Sequence, residues 1–298
     1  MYYVEDSAGN LRANVIPSES ELSDYYAHHF PRGTYARRGK AWQGTHRAWR
    51  LRSILRTKRP IRILDFGCGH GQFLGACRRR LPAAELVGFE MSPEQCASVQ
   101  AALEIPVFCD QNKLHQRYSD GFDLITLWHV LEHTREPGRL IARLFESLRP
   151  GGRMILAVPN RSSLGMRVRR EKWAWCQAPY IHLWHFSLSG LRALIESSTT
   201  DGTIQLGTRE AWDCNFLVDG LLGARLQNWP PTLQRVGFRL DSALRLSAFA
   251  VYELLFNPLV FAPFGFGAEL VGEVMKSTGG HRDSGPLGVP FAGDRARI

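Results

Sequence analysis

The sequence lacks the features that mark several protein classes. Its six cysteines are scattered and form no C-x-x-C pair, which argues against a zinc ribbon and against a disulfide framework. No uninterrupted apolar run reaches the roughly 18 residues that a membrane-spanning helix needs. The opening segment, Met1 to Asn10, is polar and acidic, unlike a secretory signal. We therefore expect a cytoplasmic protein whose cysteines are reduced and mostly buried.

Acidic residues are scarce relative to basic ones, with 28 Asp and Glu against 37 Lys and Arg. The basic surplus is concentrated in residues 37–62, 78–80 and 161–172. Such a distribution suits anionic partners, such as nucleic acid, acidic lipid surfaces or phosphorylated substrates. A solvated basic face has the same composition, so both interpretations stay open.

What the chain does contain is a regular alternation of short apolar strands and helices. We predict strands at Ile61–Phe66, Leu86–Glu90, Pro106–Cys109, Phe122–Leu127, Arg153–Val158, Thr203–Leu206 and Glu269–Lys276, with helices at Gln72–Leu81, Pro93–Leu103, Arg139–Leu148 and Ser187–Ser197. Strands and helices that alternate at this spacing form βαβ units, and hence a mostly parallel, seven-stranded α/β sheet with helices on both faces. The loops after the strands then lie along one rim, where ligands of open α/β sheets bind.

The composition divides the chain into segments. We predict a flexible N-terminal arm at 1–24, a helical cap at 25–60, a core at 61–214, an apolar helical insertion at 215–267, the last core strand at 268–276 and a disordered tail at 277–298. Within the insertion, Pro258 and Pro263 preclude a straight spanning helix. Three interpretations of the insertion remain: a lid over the active site, a dimer interface, or a segment that dips into a membrane.

A glycine turn follows the first core strand, in Asp65-Phe66-Gly67-Cys68-Gly69-His70-Gly71. Glycines let the backbone approach a ligand, and the next helix offers free N–H groups at its N-terminus. The spacing does not match the G-x-G-x-x-G of dinucleotide folds, and Asp65 would repel a pyrophosphate. Glu90 ends the second strand, where it can accept hydrogen bonds from a ribose, and Asp110 follows the third, where it can bind an adenine amine.

These residues resemble the class I S-adenosylmethionine (SAM)-dependent methyltransferases. Ile63–Gly71 is similar to the family's motif I, Val87–Glu90 to its second-strand acidic motif, Phe122–Ile125 to its fourth strand and Leu148–Gly152 to the turn before its fifth. The resemblance implies a Rossmann-like fold and SAM as the methyl donor. It implies that Glu90 holds the ribose, that the glycine-turn backbone holds the methionine part and that Asp110 with Gln111 meets the adenine. The cofactor residues that we predict are Asp65, Gly67, Cys68, Gly69, Gly71, Glu90, Met91, Asp110, Gln111 and Trp128.

Within the family, three segments resemble a bacterial branch similar to the ubiquinone-pathway O-methyltransferases. They are Trp128–His133, Val158–Asn160 and His182–Ser187. The first and third segments carry His129, Glu132, His133, His182 and His185, which follow strands on the ligand rim.

Three interpretations of these histidines are open. One of them is a general base that takes a proton from an acceptor hydroxyl; our candidates are His133 first, then His129 and His182. Alternatively Glu132, His133 and His182 bind a divalent ion, because some relatives carry a Glu-x-x-Glu-His metal motif. Here His129 replaces the first glutamate, which disfavours magnesium and would suit zinc or iron better. In the third interpretation the histidines only line the pocket. We assign no metal ligand, and whether the reaction needs a divalent ion stays open.

The acceptor is the least determined part of the function. We predict O-methylation of a small or lipid-like molecule; peripheral membrane contact through the insertion is one of the alternatives that stay open. A second hypothesis is methylation of RNA or another macromolecule at the basic rim, where Arg161–Lys172 precedes Trp173 and Trp175. A third is a non-catalytic SAM-binding scaffold. The oligomeric state is left open.

Overall fold

The computed structural model describes residues 2–25, 41–51, 61–170, 176, 181–209 and 267–278. Nearly all of the predicted insertion and tail, and much of the predicted cap, lie outside these ranges. Among the described residues, no helix is long and apolar enough to cross a membrane.

The described strands and helices alternate through most of the chain. The strands are β1 (Tyr3–Glu5), β2 (Leu11–Ala13), β3 (Arg62–Phe66), β4 (Glu85–Phe89), β5 (Val107–Phe108), β6 (Phe122–Trp128), β7 (Leu148–Pro159), β8 (Trp184–His185), β9 (Gly202–Arg209) and β10 (Glu269–Lys276). The helices are α1 (Glu19–Asp24), α2 (Ala41–Arg50), α3 (Gln72–Arg80), α4 (Pro93–Leu103), α5 (Gln111–Arg117), α6 (Pro137–Glu146), α7 (Leu164–Arg169) and α8 (Leu188–Ser198), with a 3₁₀ turn at Leu131–His133.

Seven of the strands form one sheet in the order β5-β4-β3-β6-β7-β10-β9. The strands from β5 to β7 pair in parallel, and β10 runs antiparallel to both β7 and β9. The predicted seven-stranded, mostly parallel sheet is therefore confirmed. Its order places the ends of β3, β4 and β6 side by side on one rim, so the loops that follow these strands can share one ligand.

Apolar residues pack on both faces of the sheet because neighbouring residues of a strand point to opposite sides. Ile63 belongs to the core under α2, α3 and α4, whereas Leu64 belongs to the core under α5, α6 and α8. Helix starts follow local chemistry. Ser92 caps α4, with Pro93 in the first turn as predicted, and Ser187 caps α8.

Several predicted boundaries are wrong. The third strand of the core is only Val107–Phe108. β7 begins at Leu148, so Leu148–Gly152, which we predicted as the turn before the fifth strand, lies within the strand. Helix α5 was absent from the prediction, and Asp110 is its N-cap. Pro137 at the first turn of α6 starts that helix two residues earlier than we predicted.

The N-terminal segment is not a loose arm. β1 pairs with β2, and β2 pairs with β8, which makes a second, three-stranded sheet. Asn10 is buried, and its side chain accepts a hydrogen bond from the backbone N–H of Ser187 at 3.1 Å. Such short, polar strands carry little periodicity of their own. Their place in the fold depends on the pairing of β2 with β8, which lies far away in the sequence.

Helix α2 is the described part of the predicted cap, and it packs closely on α3. A side chain at Gly44 would collide with the carbonyl oxygen of Gln72 at the start of α3. This contact places α2 directly beside the glycine turn.

Candidate active site

The glycine turn (residues 67–71) joins β3 to α3 in a left-handed backbone conformation. Gly67, Gly69 and Gly71 have φ values of +77°, +52° and +70°. A Cβ on Gly67 would lie 2.6 Å from Val130, and one on Gly71 would lie 2.8 Å from Val99. A Cβ on Gly69 would have no described atom within 4 Å. Two of these glycines therefore serve packing, and Gly69 leaves backbone open to a ligand.

Glu90 lies against this turn. One carboxylate oxygen accepts a hydrogen bond from the backbone N–H of Gly69 at 2.9 Å, and the other accepts one from Ser92 at 3.2 Å. The backbone N–H groups of Gly67 and Cys68 also donate to the carbonyl oxygen of Phe89, so backbone and the Glu90 side chain together hold the glycine turn against the end of β4.

Asp65 ends β3 beneath the turn and is almost completely buried. Its carboxylate accepts a hydrogen bond from the Thr126 hydroxyl at 2.7 Å. Burial raises the pKa of Asp65 to about 6, although the Thr126 hydrogen bond and the nearby charge of Arg47 oppose the shift. A ligand cation beside Asp65 would favour its ionised form.

Arg47, on α2, is a site residue that the sequence did not identify. Its guanidinium lies 4.8 Å from the ring centre of Trp128, at the end of β6. The Nε1–H of Trp128 is buried and, among the described residues, has no hydrogen-bond partner. The interleaved basic and aromatic residues of 25–59 mark the segment, but nothing in their spacing indicates which arginine reaches the rim.

Other predicted cofactor residues are at the same rim but serve local structure. Asp110 accepts hydrogen bonds from the N–H groups of Asn112 and Lys113 as the cap of α5, and Gln111 accepts one from Arg143. Cys68 is buried against Gly88, so a cofactor would meet its backbone rather than its thiol. Met91 is exposed beyond β4. The roles that we assigned to these residues remain predictions.

His129 is the first residue of the histidine turn (residues 129–133). Its backbone is left-handed, with φ +58°, and its two ring nitrogens contact Glu132 at 3.0 Å and Glu269 at 2.6 Å. Burial alone would lower the pKa of His129, but the two carboxylates reverse the sign and raise it to about 10. A ring that is already protonated on both nitrogens cannot accept a proton. Our interpretation of His129 as a general base does not fit this geometry.

His133, the last residue of the histidine turn, differs from His129 in the contacts of its ring nitrogens. Its Nδ1 lies 2.8 Å from the carbonyl oxygen of Ile181, and its Nε2 lies 4.0 Å from Glu132. A carbonyl can only accept, so Nδ1 carries the proton and Nε2 keeps its lone pair. Burial lowers the pKa of His133, and the Glu132 charge only partly offsets this. His133 is therefore the histidine of the turn that can accept a proton.

His182 and His185 are buried behind His133. The ring centre of His182 lies 4.8 Å from that of His133 and 6.1 Å from that of His185. Burial lowers the pKa of His185 to about 3. Tyr3 of the N-terminal sheet donates a hydrogen bond to the carbonyl oxygen of His182 at 2.9 Å, so this sheet supports the histidines from behind.

Glu132, His133 and His182 form a candidate metal cluster, with ligand atoms within 4.8 Å of one another. The donor set is one carboxylate and two imidazoles, and the charge of that carboxylate is already matched by the His129 cation. Magnesium prefers oxygen ligands, so these residues do not fit the magnesium site of the metal-motif relatives.

The predicted basic rim is described only in part. Arg161 forms an ion pair with Glu5 at 3.0 Å and also donates to the carbonyl oxygen of Gly9, so it anchors the N-terminal sheet. Arg167 donates to the carbonyl oxygen of Ser162. Lys172, Trp173 and Trp175 lie outside the described residues.

Comparison with known proteins gives one family. The methyltransferase domain family matches residues 35–198, more than half of the chain. Trans-aconitate 2-methyltransferase of Deinococcus radiodurans is 30% identical over 109 residues, 37% of this chain and 42% of that protein. Ubiquinone biosynthesis O-methyltransferase of Aeromonas salmonicida is 30% identical over 107 residues, 34% of this chain and 44% of that protein. The chain thus spans less than half the length of these two relatives.

Solved structures share the fold at low identity. The plantazolicin methyltransferase BamL has a TM-score of 0.51 at 18% identity, covering 87% of this chain and 91% of its own. The [4+2]-cyclase SpnF has a TM-score of 0.51 at 18% identity, covering 87% of this chain and 93% of its own. A cyclase with this fold shows that architecture alone does not define the reaction. The family match, however, includes the glycine turn, Glu90 and the histidine turn together, and by that match the chain belongs to the class I SAM-dependent methyltransferases.

Proposed function

We propose that this chain transfers the methyl group of SAM to a hydroxyl oxygen of a small or lipid-like acceptor, with His133 as the general base. The observation that carries the proposal is the tautomer of His133, whose Nδ1–H is committed to the carbonyl oxygen of Ile181. Its Nε2 is therefore the atom that can take a proton. Val130, in the same turn, contacts Gly67, which brings the base beside the predicted cofactor subsite.

The proton and the charge balance within this arrangement. When bound, SAM supplies a methyl group on a positively charged sulfur, and transfer of that group to oxygen leaves a neutral thioether. Nε2 of His133 takes the proton that the hydroxyl loses, and the carboxylate of Glu132, 4.0 Å away, stabilises the imidazolium that results. The larger contribution of the protein is alignment, because holding acceptor and donor in line removes most of the entropic cost of their encounter.

A small acceptor is supported by the relatives named above. One is a trans-aconitate methyltransferase and the other an O-methyltransferase of ubiquinone biosynthesis. A carboxylate acceptor is already ionised at neutral pH and needs no base, whereas a phenol or alcohol does. The orientation of His133 therefore favours a hydroxyl acceptor.

The test measures S-adenosylhomocysteine formed from SAM with 3,4-dihydroxybenzoate, with trans-aconitate and with total RNA. We expect product with the hydroxyl acceptor, and His133→Gln should lower kcat about 10²- to 10⁴-fold while the SAM affinity stays within twofold. His115→Gln is the matched control, because His115 contacts Ser147 between α5 and α6, away from the histidine turn. Undiminished turnover by His133→Gln would reject His133 as the base.

The two rival functions give different results in the same assay. An RNA methyltransferase would form product with RNA, and its RNA affinity would fall steeply as salt rises. A scaffold would bind SAM and form no product with any acceptor. Membrane contact through the insertion is tested separately, by flotation with vesicles that contain anionic lipid.

A further inference from the structure

The protonation state of His129 follows from geometry. Each ring nitrogen has a carboxylate oxygen at hydrogen-bond distance, Glu132 at 3.0 Å and Glu269 at 2.6 Å. A neutral imidazole can donate from only one nitrogen, and a carboxylate can only accept. Both contacts are satisfied together when both nitrogens carry protons, so His129 is a fixed cation between two anions.

Glu269 and His129 are each held by rigid backbone. Glu269 opens β10, where it pairs with Pro159 of β7 and with Arg209 of β9. The backbone N–H of His129 donates to Ala157 of β7 at 2.9 Å, and its left-handed φ turns the ring back between the two carboxylates. The sheet therefore sets the position of the cation, and the cation sets that of Glu132.

Of Glu269, His129 and Glu132, the last is the residue that lies near His133. Its side chain is completely buried, and one oxygen, Oε1, is the atom that contacts His129 and lies 4.0 Å from Nε2 of His133. The contact of Oε1 with Nδ1 of His129 at 3.0 Å gives this buried carboxylate a cationic partner, which favours its ionised form. An ionised carboxylate this close to Nε2 favours the protonated form of His133.

We propose that Glu269, His129 and Glu132 form a row of alternating negative, positive and negative charges, which we call the charge relay. It holds an ionised carboxylate beside His133, and Glu269 is a positioning residue for that base. The proposal rests on the function proposed above. It also gives a reason for the departure from the metal motif of some relatives: a histidine at position 129 supplies a built-in cation beside Glu132, where a glutamate would supply a metal ligand.

The experiment compares the full chain with Glu269→Gln and with Glu273→Gln as the matched control. Glu273 lies on the same strand, is buried and is ion-paired with Arg153, so each variant removes a carboxylate that has a basic side chain as its partner. Nitrogen NMR of ¹⁵N-histidine-labelled protein at neutral pH reports which ring nitrogens are protonated. We expect both nitrogens of His129 to be protonated in the wild type. The ring signals of His129 and His133 should shift in Glu269→Gln and stay unchanged in Glu273→Gln.

Within the described ranges, the titratable groups near His129 are Glu132 and His133 on its own turn, Glu269 on β10 and His182 behind the turn. The spectra must therefore be assigned for His129, His133, His182 and His185. A neutral His129 in the wild type overturns the relay, as do His133 signals that are the same in Glu269→Gln and wild type. Stoichiometric binding of zinc by the wild type, measured by calorimetry with the metal alone, also overturns it. These readouts need no acceptor, so they decide the relay even if His133 proves not to be the base.

With 3,4-dihydroxybenzoate as the acceptor, Glu269→Gln should lower kcat about tenfold or more and leave the SAM affinity unchanged. Glu269→Asp should recover part of the loss, because it restores the charge. A fall in SAM affinity without a fall in kcat would indicate a purely structural role and reject Glu269 as a positioning residue.

Discussion

The backbone N–H of Gly69 donates a 2.9 Å hydrogen bond to Oε2 of Glu90. This contact joins the turn after β3 to the residue that follows β4, and it lies beside Gly69, where a Cβ would have no described atom within 4 Å. The carboxylate that we predict to hold the ribose therefore also orders the turn. Cofactor binding and turn geometry should depend on it together.

Replacing Glu90 should weaken SAM binding. Hydrogen bonds to charged groups contribute about 1.5–3 kcal/mol, which corresponds to roughly a 10- to 100-fold rise in Kd for Glu90→Ala. Calorimetric titration with SAM and with S-adenosylhomocysteine measures this. Glu85→Gln is the control, because Glu85 lies at the other end of β4 and pairs with Arg62. Equal affinities of Glu90→Ala and the wild type would remove Glu90 from the cofactor site.

Asp65 should make the free energy of unfolding depend on pH. Burial raises the pKa of Asp65 from 3.8 to about 6, so the folded state holds this proton more tightly than the unfolded state. The contribution of Asp65 to stability is then greatest below pH 3.8, decreases as pH rises to about 6, and is absent above that. The full loss is about 3 kcal/mol. Urea unfolding of the wild type and of Asp65→Asn between pH 4 and pH 7.5 isolates the contribution. A difference between them that does not change with pH would contradict the shift.

SAM affinity should also depend on the ionisation of Asp65, but it should rise over the pH range in which the stability contribution of Asp65 falls. A cationic amino group beside Asp65 favours the carboxylate, so affinity should rise as pH passes upward through about 6, with uptake of SAM releasing a proton. Calorimetry in two buffers with different ionisation enthalpies measures the proton release. Asp65→Asn should abolish it while the glycine turn remains folded.

Two alanine substitutions in the glycine turn should have different effects. Gly67→Ala places a methyl group 2.6 Å from Val130 at a φ of +77°, so it should lower the melting temperature strongly. At Gly69 no described atom lies within 4 Å, so Gly69→Ala should cost only the roughly 1–2 kcal/mol of a left-handed residue and act mainly on SAM binding. Differential scanning calorimetry and SAM titration separate the two. Equal losses of stability would show that Gly69 is also a packing position.

The N-terminal sheet should contribute to stability through Asn10. Its side chain donates to Asp6 at 3.1 Å and accepts from the N–H of Ser187 at 3.1 Å, where α8 begins. Asn10→Ala leaves a buried N–H unpaired, which costs about 1–3 kcal/mol. Asn14→Ala is the control, because the side chain of Asn14 accepts a hydrogen bond from Tyr2 in an exposed position. Thermal unfolding measures both, and similar losses would mean that the N-terminal sheet is not tied to α8 through Asn10.

Most of the Rossmann-like core could be predicted because each strand and helix is encoded locally. Period-two apolar strands, Ser92 before Pro93 and glycines between a strand and a helix are local signals. The three-stranded N-terminal sheet could not be predicted, because residues 11–13 pair with 184–185, about 170 residues away, and such short strands carry no pattern of their own. Arg47 was missed for a related reason, since only the packing of Gly44 on Gln72 brings it to the rim.

The sequence by itself determined the sheet, the glycine turn and the class of methyl donor. Those features depend on residues adjacent in the chain, whose conformations local sterics and hydrogen bonding set. Only the tertiary structure decided the roles of the histidines. Glu269 lies 140 residues from His129 along the chain, and its carboxylate beside Nε2 favours the protonated ring, while the carbonyl oxygen of Ile181 favours the His133 tautomer with the proton on Nδ1. A histidine's charge depends on the groups that surround it in space, so the spacing of the motif could not distinguish the surroundings of His129 from those of His133.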